Sequence, residues 1–175
     1  MQKKWFYSFV LIVAVILISC NEYQQVLKSA DPELKYTKTV EYYEKGEYLK
    51  ALPLFEELIP LYRGTDKGQK IYYFYAYTNY HLGYLVTAAY HFRNYYSTYP
   101  NSKYAEESLF MSAYCNYLDA PGPTLDQTPT KLALEELQIF VNAFPTSLYT
   151  NPLISDQIFE TYDPVESNFC IFTSV

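Results

Sequence analysis

The chain has 175 residues, half of them apolar, with 13 basic and 19 acidic residues and a formal net charge of −6. This acidic balance argues against a nucleic-acid-binding protein, which would carry a basic surface, and the length corresponds to about one domain with its own core. Twenty-two tyrosines beside only five glycines disfavour disorder and turn-rich β folds, and favour stacked helices.

The first 19 residues have the features of a secretory signal peptide. Lys3 and Lys4 precede an apolar run at 5–18 that is interrupted only by Ser8. This run is shorter than the roughly 20 residues that a membrane-spanning helix needs. The sequence predicts a signal peptide at 1–19, followed by a tether at 20–31.

The signal segment ends in Leu-Ile-Ser-Cys at residues 17–20, which resembles the lipobox of bacterial lipoproteins. The resemblance implies cleavage before Cys20, transfer of a diacylglycerol to its thiol and acylation of the new amino group. Several acyl chains anchor a protein firmly, whereas a single chain anchors it only marginally. The alternative is an ordinary signal peptide with an incidental cysteine.

Cleavage would change both the charge and the cysteine content of the chain. Loss of Lys3 and Lys4 leaves 11 basic residues against 19 acidic ones, a net charge of −8. Cys115 lies inside a helical pattern, so we expect a buried free thiol there and not a disulfide. The sequence indicates no role for Cys170.

Residues 32–149 repeat with a period of 37 residues. The first helix of each unit carries large residues at spacings of four and three, which place them on one helical face. The aligned positions are Tyr36, Val40 and Tyr43, then Tyr73, Tyr77 and Tyr80, then Phe110, Tyr114 and Tyr117.

A second helix follows in each unit, with a small residue four positions before a large one. Together with small residues on the first helices, this is the packing pattern of tetratricopeptide repeats, whose usual period is about 34. The predicted packing residues are Ala51, Phe55, Ala76, Ala88, Phe92, Ala113, Ala133 and Leu137. The sequence therefore predicts an all-α solenoid of about three tetratricopeptide helix pairs.

Helix boundaries follow from capping residues and prolines. Asp31-Pro32 and Thr128-Pro129 each suit an N-cap followed by proline in the first helical turn. Residues 119–128 are predicted to form a loop insertion. The predicted helices are 32–45, 48–62, 68–82, 85–98, 103–118 and 129–143.

This order of features resembles the BamD family of outer-membrane lipoproteins. After the lipobox come "YRG" at 62–64, "YYSTYPNS" at 95–102, a proline-rich insertion and a helix ending in "FPTS" at 144–147. The resemblance implies a non-enzymatic, cofactor-free scaffold, lipid-anchored to the outer membrane on its periplasmic side. Its implied partners are a BamA-like barrel subunit and unfolded outer-membrane proteins. The alternative is another tetratricopeptide lipoprotein that acts as a periplasmic adaptor, for example for cell-wall enzymes.

The last residues depart from that family. Residues 150–175 contain Pro152 and Pro164 and no further small-large helix signature. We expect an irregular tail here. Family members continue through further helix pairs, so the resemblance implies that this tail is the aberrant end of a C-terminally truncated chain.

No pattern of catalytic or metal-binding residues is recognisable in the sequence. His81 and His91 are ten residues apart, which is not the spacing of a helical metal pair, so both are expected at the surface. Glutamate pairs at 56–57, 106–107 and 135–136 are expected to be solvated or to lie at helix starts.

The recurring aromatic residues are the one candidate binding site. Tetratricopeptide grooves are lined by the first helix of each unit, and a groove of this kind could hold an extended or aromatic-ended peptide. The alternative is that the rings only pack between repeats, although tyrosine suits a half-wet surface. The candidates are Tyr36, Tyr43, Tyr73, Tyr77, Tyr80, Phe110, Tyr114 and Tyr117.

Overall fold

The structure, a computed structural model, describes residues 22–121 and 126–150, with only the backbone at residue 150. The predicted signal peptide, the predicted lipidation site Cys20, most of the tail with Cys170, and residues 122–125 of the predicted loop lie outside the described residues.

The described residues are helical throughout and contain no strand. A helix at 22–28 (α1) precedes α2 (Pro32–Glu44), α3 (Tyr48–Leu61), α4 (Asp66–His81), α5 (Leu85–Thr98), α6 (Ala105–Leu118), α7 (Thr128–Ala143) and a 3₁₀ turn (Leu148–Thr150). The six helices predicted from the sequence are confirmed, each to within about two residues at either end. The all-α fold class of tetratricopeptide-like helix pairs is therefore confirmed as well.

The two proline signatures cap their helices differently. The Asp31 side chain accepts hydrogen bonds from the backbone N–H groups of Glu33 and Leu34, at 2.9 and 3.3 Å, and Pro32 opens α2 as predicted. At α7 the prediction was one residue late, because the N-cap is Gln127 and Thr128 is already helical. The Asp126 carboxylate, and not Thr128, accepts the hydrogen bond there, from the Thr128 N–H at 3.1 Å.

Equivalent glycines end the first helix of the first two repeats. Gly46 follows α2 and Gly83 follows α4, with φ of 72° and 76°, in the left-handed region that favours glycine. The Gly83 N–H donates to the carbonyl of Tyr80, and the next N–H donates to that of Asn79, both at 2.9 Å. These bonds satisfy helix-end carbonyls and turn the chain into the second helix, which explains why the two glycines align in the repeat.

The chain divides into two compact units at Arg63 and Gly64. In the first unit α2 and α3 pack against each other around Ala51 and Phe55, which are both completely buried. Helix α1, which the sequence analysis did not predict, joins this unit through buried Val26 and through Tyr23, whose hydroxyl donates to the Lys50 carbonyl at 3.3 Å.

In the second unit each of the helices α4 to α7 packs against the next one along the chain. Short connections make neighbouring helices antiparallel, so that α4 runs parallel to α6. The small residues of the repeat are buried where these helices meet, which allows close approach: Ala76, Ala88, Ala113 and Ala133. Phe92 is buried with its ring edge-on to Tyr77, at a centroid distance of 4.8 Å, whereas Leu137 is half-buried. Cys115 is a buried free thiol, as predicted.

Candidate functional site

Two of the eight aromatic candidates lie in the first unit, on α2. Tyr36 is half-buried beside Tyr62, with the ring centroids 6.1 Å apart. Tyr43 is buried and meets Phe55 edge-to-face at 6.1 Å. Of these two rings, Tyr36 is therefore the one that a ligand can reach.

Three of the candidates in the second unit belong to its packed interior. Tyr73 and Tyr77 have no exposed surface, and Phe110 is buried between Phe140 and Tyr149, at centroid distances of 5.5 and 4.5 Å. Their large rings fill the space between successive helices. The prediction of a binding role is corrected for these three residues and for Tyr43, because their rings pack inside the units.

The other three candidates in this unit form a half-exposed surface, which we call the tyrosine face: Tyr80 on α4 and Tyr114 and Tyr117 on α6. Tyr80 and Tyr114 are half-buried, and Tyr117 is 59% exposed. The Tyr114 and Tyr117 rings lie nearly parallel, with centroids 6.3 Å apart and planes inclined by 20°. The Tyr80 ring lies 6.4 Å from Tyr114, with the two ring planes inclined by 44°. The face is thus continuous across two helices.

Burial raises the pKa of two hydroxyls of the tyrosine face, those of Tyr80 and Tyr114. Loss of water contact raises the pKa of Tyr80 to about 12, and the neighbouring Tyr114 hydroxyl adds to this effect. The pKa of Tyr114 is raised for the same main reason. Neutral tyrosine rings present an apolar face with a polar edge, an arrangement suited to a partner that is itself part apolar and part polar.

Glu107 lies beneath the buried tyrosines and explains how their hydroxyls are satisfied. The Tyr73 hydroxyl donates to its Oε2 at 2.6 Å and the Tyr77 hydroxyl to its Oε1 at 2.5 Å. Burial raises the pKa of the Glu107 carboxyl, while the two hydrogen bonds oppose the shift. The carboxylate therefore joins α6 to α4 through two tyrosines that a non-polar core would leave unsatisfied.

Glu136 forms a second polar contact, between α5, α6 and α7. It is only 9% exposed, and its Oε2 accepts from the Asn116 amide at 2.9 Å and lies 2.8 Å from the Ser112 hydroxyl. Its Oε1 lies 4.0 Å from the Arg93 guanidinium. The prediction that the glutamate pairs are solvated or lie at helix starts is therefore wrong for Glu136. It is right for Glu107, which lies in the first turn of α6, and Glu56, Glu57 and Glu135 are exposed.

A positional signal for these two glutamates was present in the sequence. Adjacent helical residues point about 100° apart, so one member of a pair can face the core while the other faces solvent. Glu136 lies three residues after Ala133, and Glu107 three residues before Phe110, which places both on the packed faces of their helices. The two members of the pair at 135–136 therefore differ in burial, with Glu135 exposed and Glu136 buried.

His91 also departs from its predicted surface position. Its ring is half-buried among Tyr72, Tyr75 and Tyr90, with its nearest ring centroid 4.7 Å away, at Tyr75. The Tyr72 hydroxyl lies 3.2 Å from its Nδ1. Burial lowers the pKa of His91, so the neutral imidazole is favoured. The other histidine, His81, is half-buried at the end of α4.

The described residues contain neither a cluster that could hold a metal ion nor a helix that could cross a membrane. Within 22–121 and 126–150, no three His, Cys, Asp or Glu side chains gather in a way that could hold a metal ion. In the same part of the chain, every helix is too short or too polar to cross a membrane.

Comparison with known proteins identifies the family. No curated protein matches the chain significantly. A sequence profile described as outer membrane lipoprotein, YfiO, matches residues 28–158, which is about three quarters of the chain and includes α2 to α7. This is the family that the BamD-like resemblance indicated. The chain therefore belongs to the YfiO family of outer membrane lipoproteins.

Proposed function

We propose that the protein is a lipid-anchored, non-enzymatic scaffold of the β-barrel assembly machinery on the periplasmic side of the outer membrane. Membership of an outer membrane lipoprotein family supports this location, and the Leu-Ile-Ser-Cys sequence at 17–20 supplies the anchor. Its partners are a BamA-like barrel subunit and unfolded outer-membrane proteins. The role is one of binding and presenting chains, and it requires no cofactor.

The observation that carries the proposal is the tyrosine face. It places Tyr80, Tyr114 and Tyr117 on the first helices of two successive repeats, where tetratricopeptide proteins bind peptides. Tyr117 is 59% exposed, and a large exposed aromatic side chain is a favourable anchor for an extended chain. Barrel strands alternate apolar and polar residues, so an unfolded strand can offer rings to these tyrosines.

Peptide titration tests the binding role. A labelled peptide from the C-terminal strand of an outer-membrane barrel is titrated with the full chain in detergent, and fluorescence anisotropy gives the affinity. Ring contacts contribute roughly 0.5–1.5 kcal/mol each. Replacing both Tyr114 and Tyr117 by alanine should therefore weaken binding about tenfold, since about 1.4 kcal/mol is one decade.

The matched control for this titration is Tyr90→Ala. Tyr90 is also a well-exposed tyrosine of the second unit, 62% exposed, but it lies on α5 outside the tyrosine face. Its removal should leave the affinity unchanged. If the double variant binds as tightly as the wild type, with equal helicity by circular dichroism, the tyrosine face is not the peptide site.

Two further measurements test the anchor and the partner. Metabolic labelling with a fatty-acid analogue should mark the wild type and not Cys20→Ala. Retained label on the variant would contradict lipidation at this cysteine.

Purification of the tagged protein from native membranes should bring down the barrel subunit. Its absence, with cell-wall enzymes present instead, would favour the adaptor role considered in the sequence analysis.

A further inference from the structure

The tyrosine face lies where two helices end side by side. Helix α4 ends at His81 and α6 at Leu118. Contacts between them keep the same register, since Tyr73 and Tyr80 on α4 are seven residues apart and so are their partners on α6, Glu107 and Tyr114. The two helices therefore run parallel, and their C-terminal ends are neighbours.

This end of the second unit is short of positive charge. The sequence contains no lysine or arginine at 71–92 or at 104–130, so the last part of α4, the turn that follows it, and all of α6 lack both. Helix α6 has no basic residue in its last turn, and its C-cap is the exposed, acidic Asp119. The antiparallel helices α5 and α7 begin at this end, α7 with Lys131 in its first turns, so their dipoles oppose those of α4 and α6. The preference for a cation therefore comes from the negative charge of Asp119.

The rings complete a site for such a cation. Neutral tyrosine rings attract an ammonium or guanidinium group over their faces, with arginine favoured because its planar group also stacks. Tyr117 has an exposed ring, and Tyr114 lies nearly parallel to it, 6.3 Å away. Tyr80 extends the aromatic surface toward the end of α4.

We propose that the tyrosine face binds an arginine or lysine side chain of an extended client segment, held over Tyr114 and Tyr117 and near Asp119. The inference rests on the proposed function and specifies which client segments are bound. Basic residues next to an apolar or aromatic residue are preferred, and acidic segments are disfavoured. The net charge of −8 expected for the mature chain also favours basic client segments over acidic ones.

The test compares peptides that differ only in charge. One extended peptide carries a central arginine, its matched partner carries citrulline, which is neutral and nearly the same shape, and a third carries glutamate. Each is titrated with the full chain in detergent at low salt. We expect the arginine peptide to bind about two- to fivefold more tightly than the citrulline peptide, as for an exposed cation–π contact. The glutamate peptide should bind most weakly.

Substitutions locate the charge preference. Tyr117→Leu keeps an apolar side chain but removes the ring, and should bring the arginine-to-citrulline ratio close to one. Tyr117→Phe keeps the ring and should retain the ratio. Asp119→Asn should lower the ratio, whereas Tyr90→Leu on α5 should leave it unchanged.

The outcomes separate this inference from the function on which it rests. Equal binding of arginine and citrulline peptides, with both weakened by Tyr117→Leu, would overturn the charge preference and leave the peptide site intact. A preference for arginine that survives Tyr117→Leu would place the cation elsewhere and would also overturn the inference. Failure of every peptide to bind would contradict the proposed function itself.

Discussion

The Tyr73 hydroxyl donates a 2.6 Å hydrogen bond to Oε2 of Glu107, so a ring with no exposed surface is tied to a carboxylate in the first turn of α6. The Tyr77 hydroxyl binds the other oxygen of the same group. The hydroxyl groups of buried tyrosines need hydrogen-bond acceptors, and the two carboxylate oxygens of Glu107 serve one hydroxyl each. The rings themselves fill the space between α4 and α6.

The first prediction concerns the pH dependence that Glu107 gives to folding. Burial raises the pKa of its carboxyl above the ordinary value of 4.5, and neighbouring Glu106 adds to the shift. The folded state therefore holds the proton more tightly than the unfolded chain. This contribution to stability is fully present below the ordinary pKa and is lost as pH rises through the raised pKa.

Glu107→Gln removes this titration while leaving an oxygen to accept from one tyrosine. The melting temperature, followed by circular dichroism from about pH 4.5 to about pH 8, should fall less with rising pH in the variant than in the wild type. Glu135→Gln, an exposed change on α7, is the control for altered net charge. Identical pH profiles for Glu107→Gln and the wild type would show that Glu107 does not titrate in this range.

The second prediction concerns the buried Glu136. Glu136→Ala removes the acceptor of the Asn116 amide and the carboxylate that faces Arg93. Leaving buried polar groups unsatisfied should destabilise the second unit by about 2 kcal/mol or more. The neighbouring Glu135→Ala should change stability by no more than about 0.5 kcal/mol, because that side chain is exposed. Urea unfolding measures both, and equal midpoints would contradict the burial of Glu136.

The fold could be predicted from the sequence mainly because packing positions recur. Ala76, Ala88 and Ala113 had to be small for neighbouring helices to approach, and a spacing of 37 residues made the pattern visible. Helix α1 could not be found in this way. Within 22–28 only Val26 is buried, and the helix is stabilised by tertiary contacts such as that of Tyr23 with Tyr42, at a centroid distance of 5.7 Å.

The candidate site could be predicted only in part. Spacings of four and three correctly placed the aromatic residues on one face of each first helix. Periodicity does not say which end of that face is covered by the next helix, so buried Tyr77 and half-exposed Tyr80 had the same sequence signal. The difference arises from α6, which places Glu107 against the former and Tyr114 beside the latter.

The third prediction concerns the turn after α4. Gly83 has φ of 76°, and a Cβ added there would meet no atom within 4 Å, so the cost of Gly83→Ala comes from the backbone conformation alone. Alanine in this region should cost about 1–2 kcal/mol. Gly83→Asn should cost less, because asparagine tolerates the left-handed region. Equal urea midpoints for the two variants would contradict this origin of the effect.

The last prediction concerns the packing of the second helix pair. Ala88 is completely buried in the first turns of α5, and the carbonyl of the adjacent Ala89 lies 3.1 Å from the Ser112 hydroxyl of α6. There is no room for a larger side chain at such an interface. Ala88→Leu should therefore separate the helices and destabilise the second unit by roughly 1–3 kcal/mol.

The neighbouring Thr87 provides the matched control, since it is exposed on the same helix. Thr87→Leu adds a leucine without entering the interface, and should leave stability unchanged or slightly higher because leucine favours helices.

The reactivity of Cys115 on α6 provides a local measurement of the same effect. Its thiol is buried, and burial raises its pKa to about 12, so it reacts slowly with thiol reagents in the folded state. Peptide mapping by mass spectrometry should find faster labelling of Cys115 in Ala88→Leu than in Thr87→Leu, and equal rates would mean that Ala88 does not lie at a tight interface.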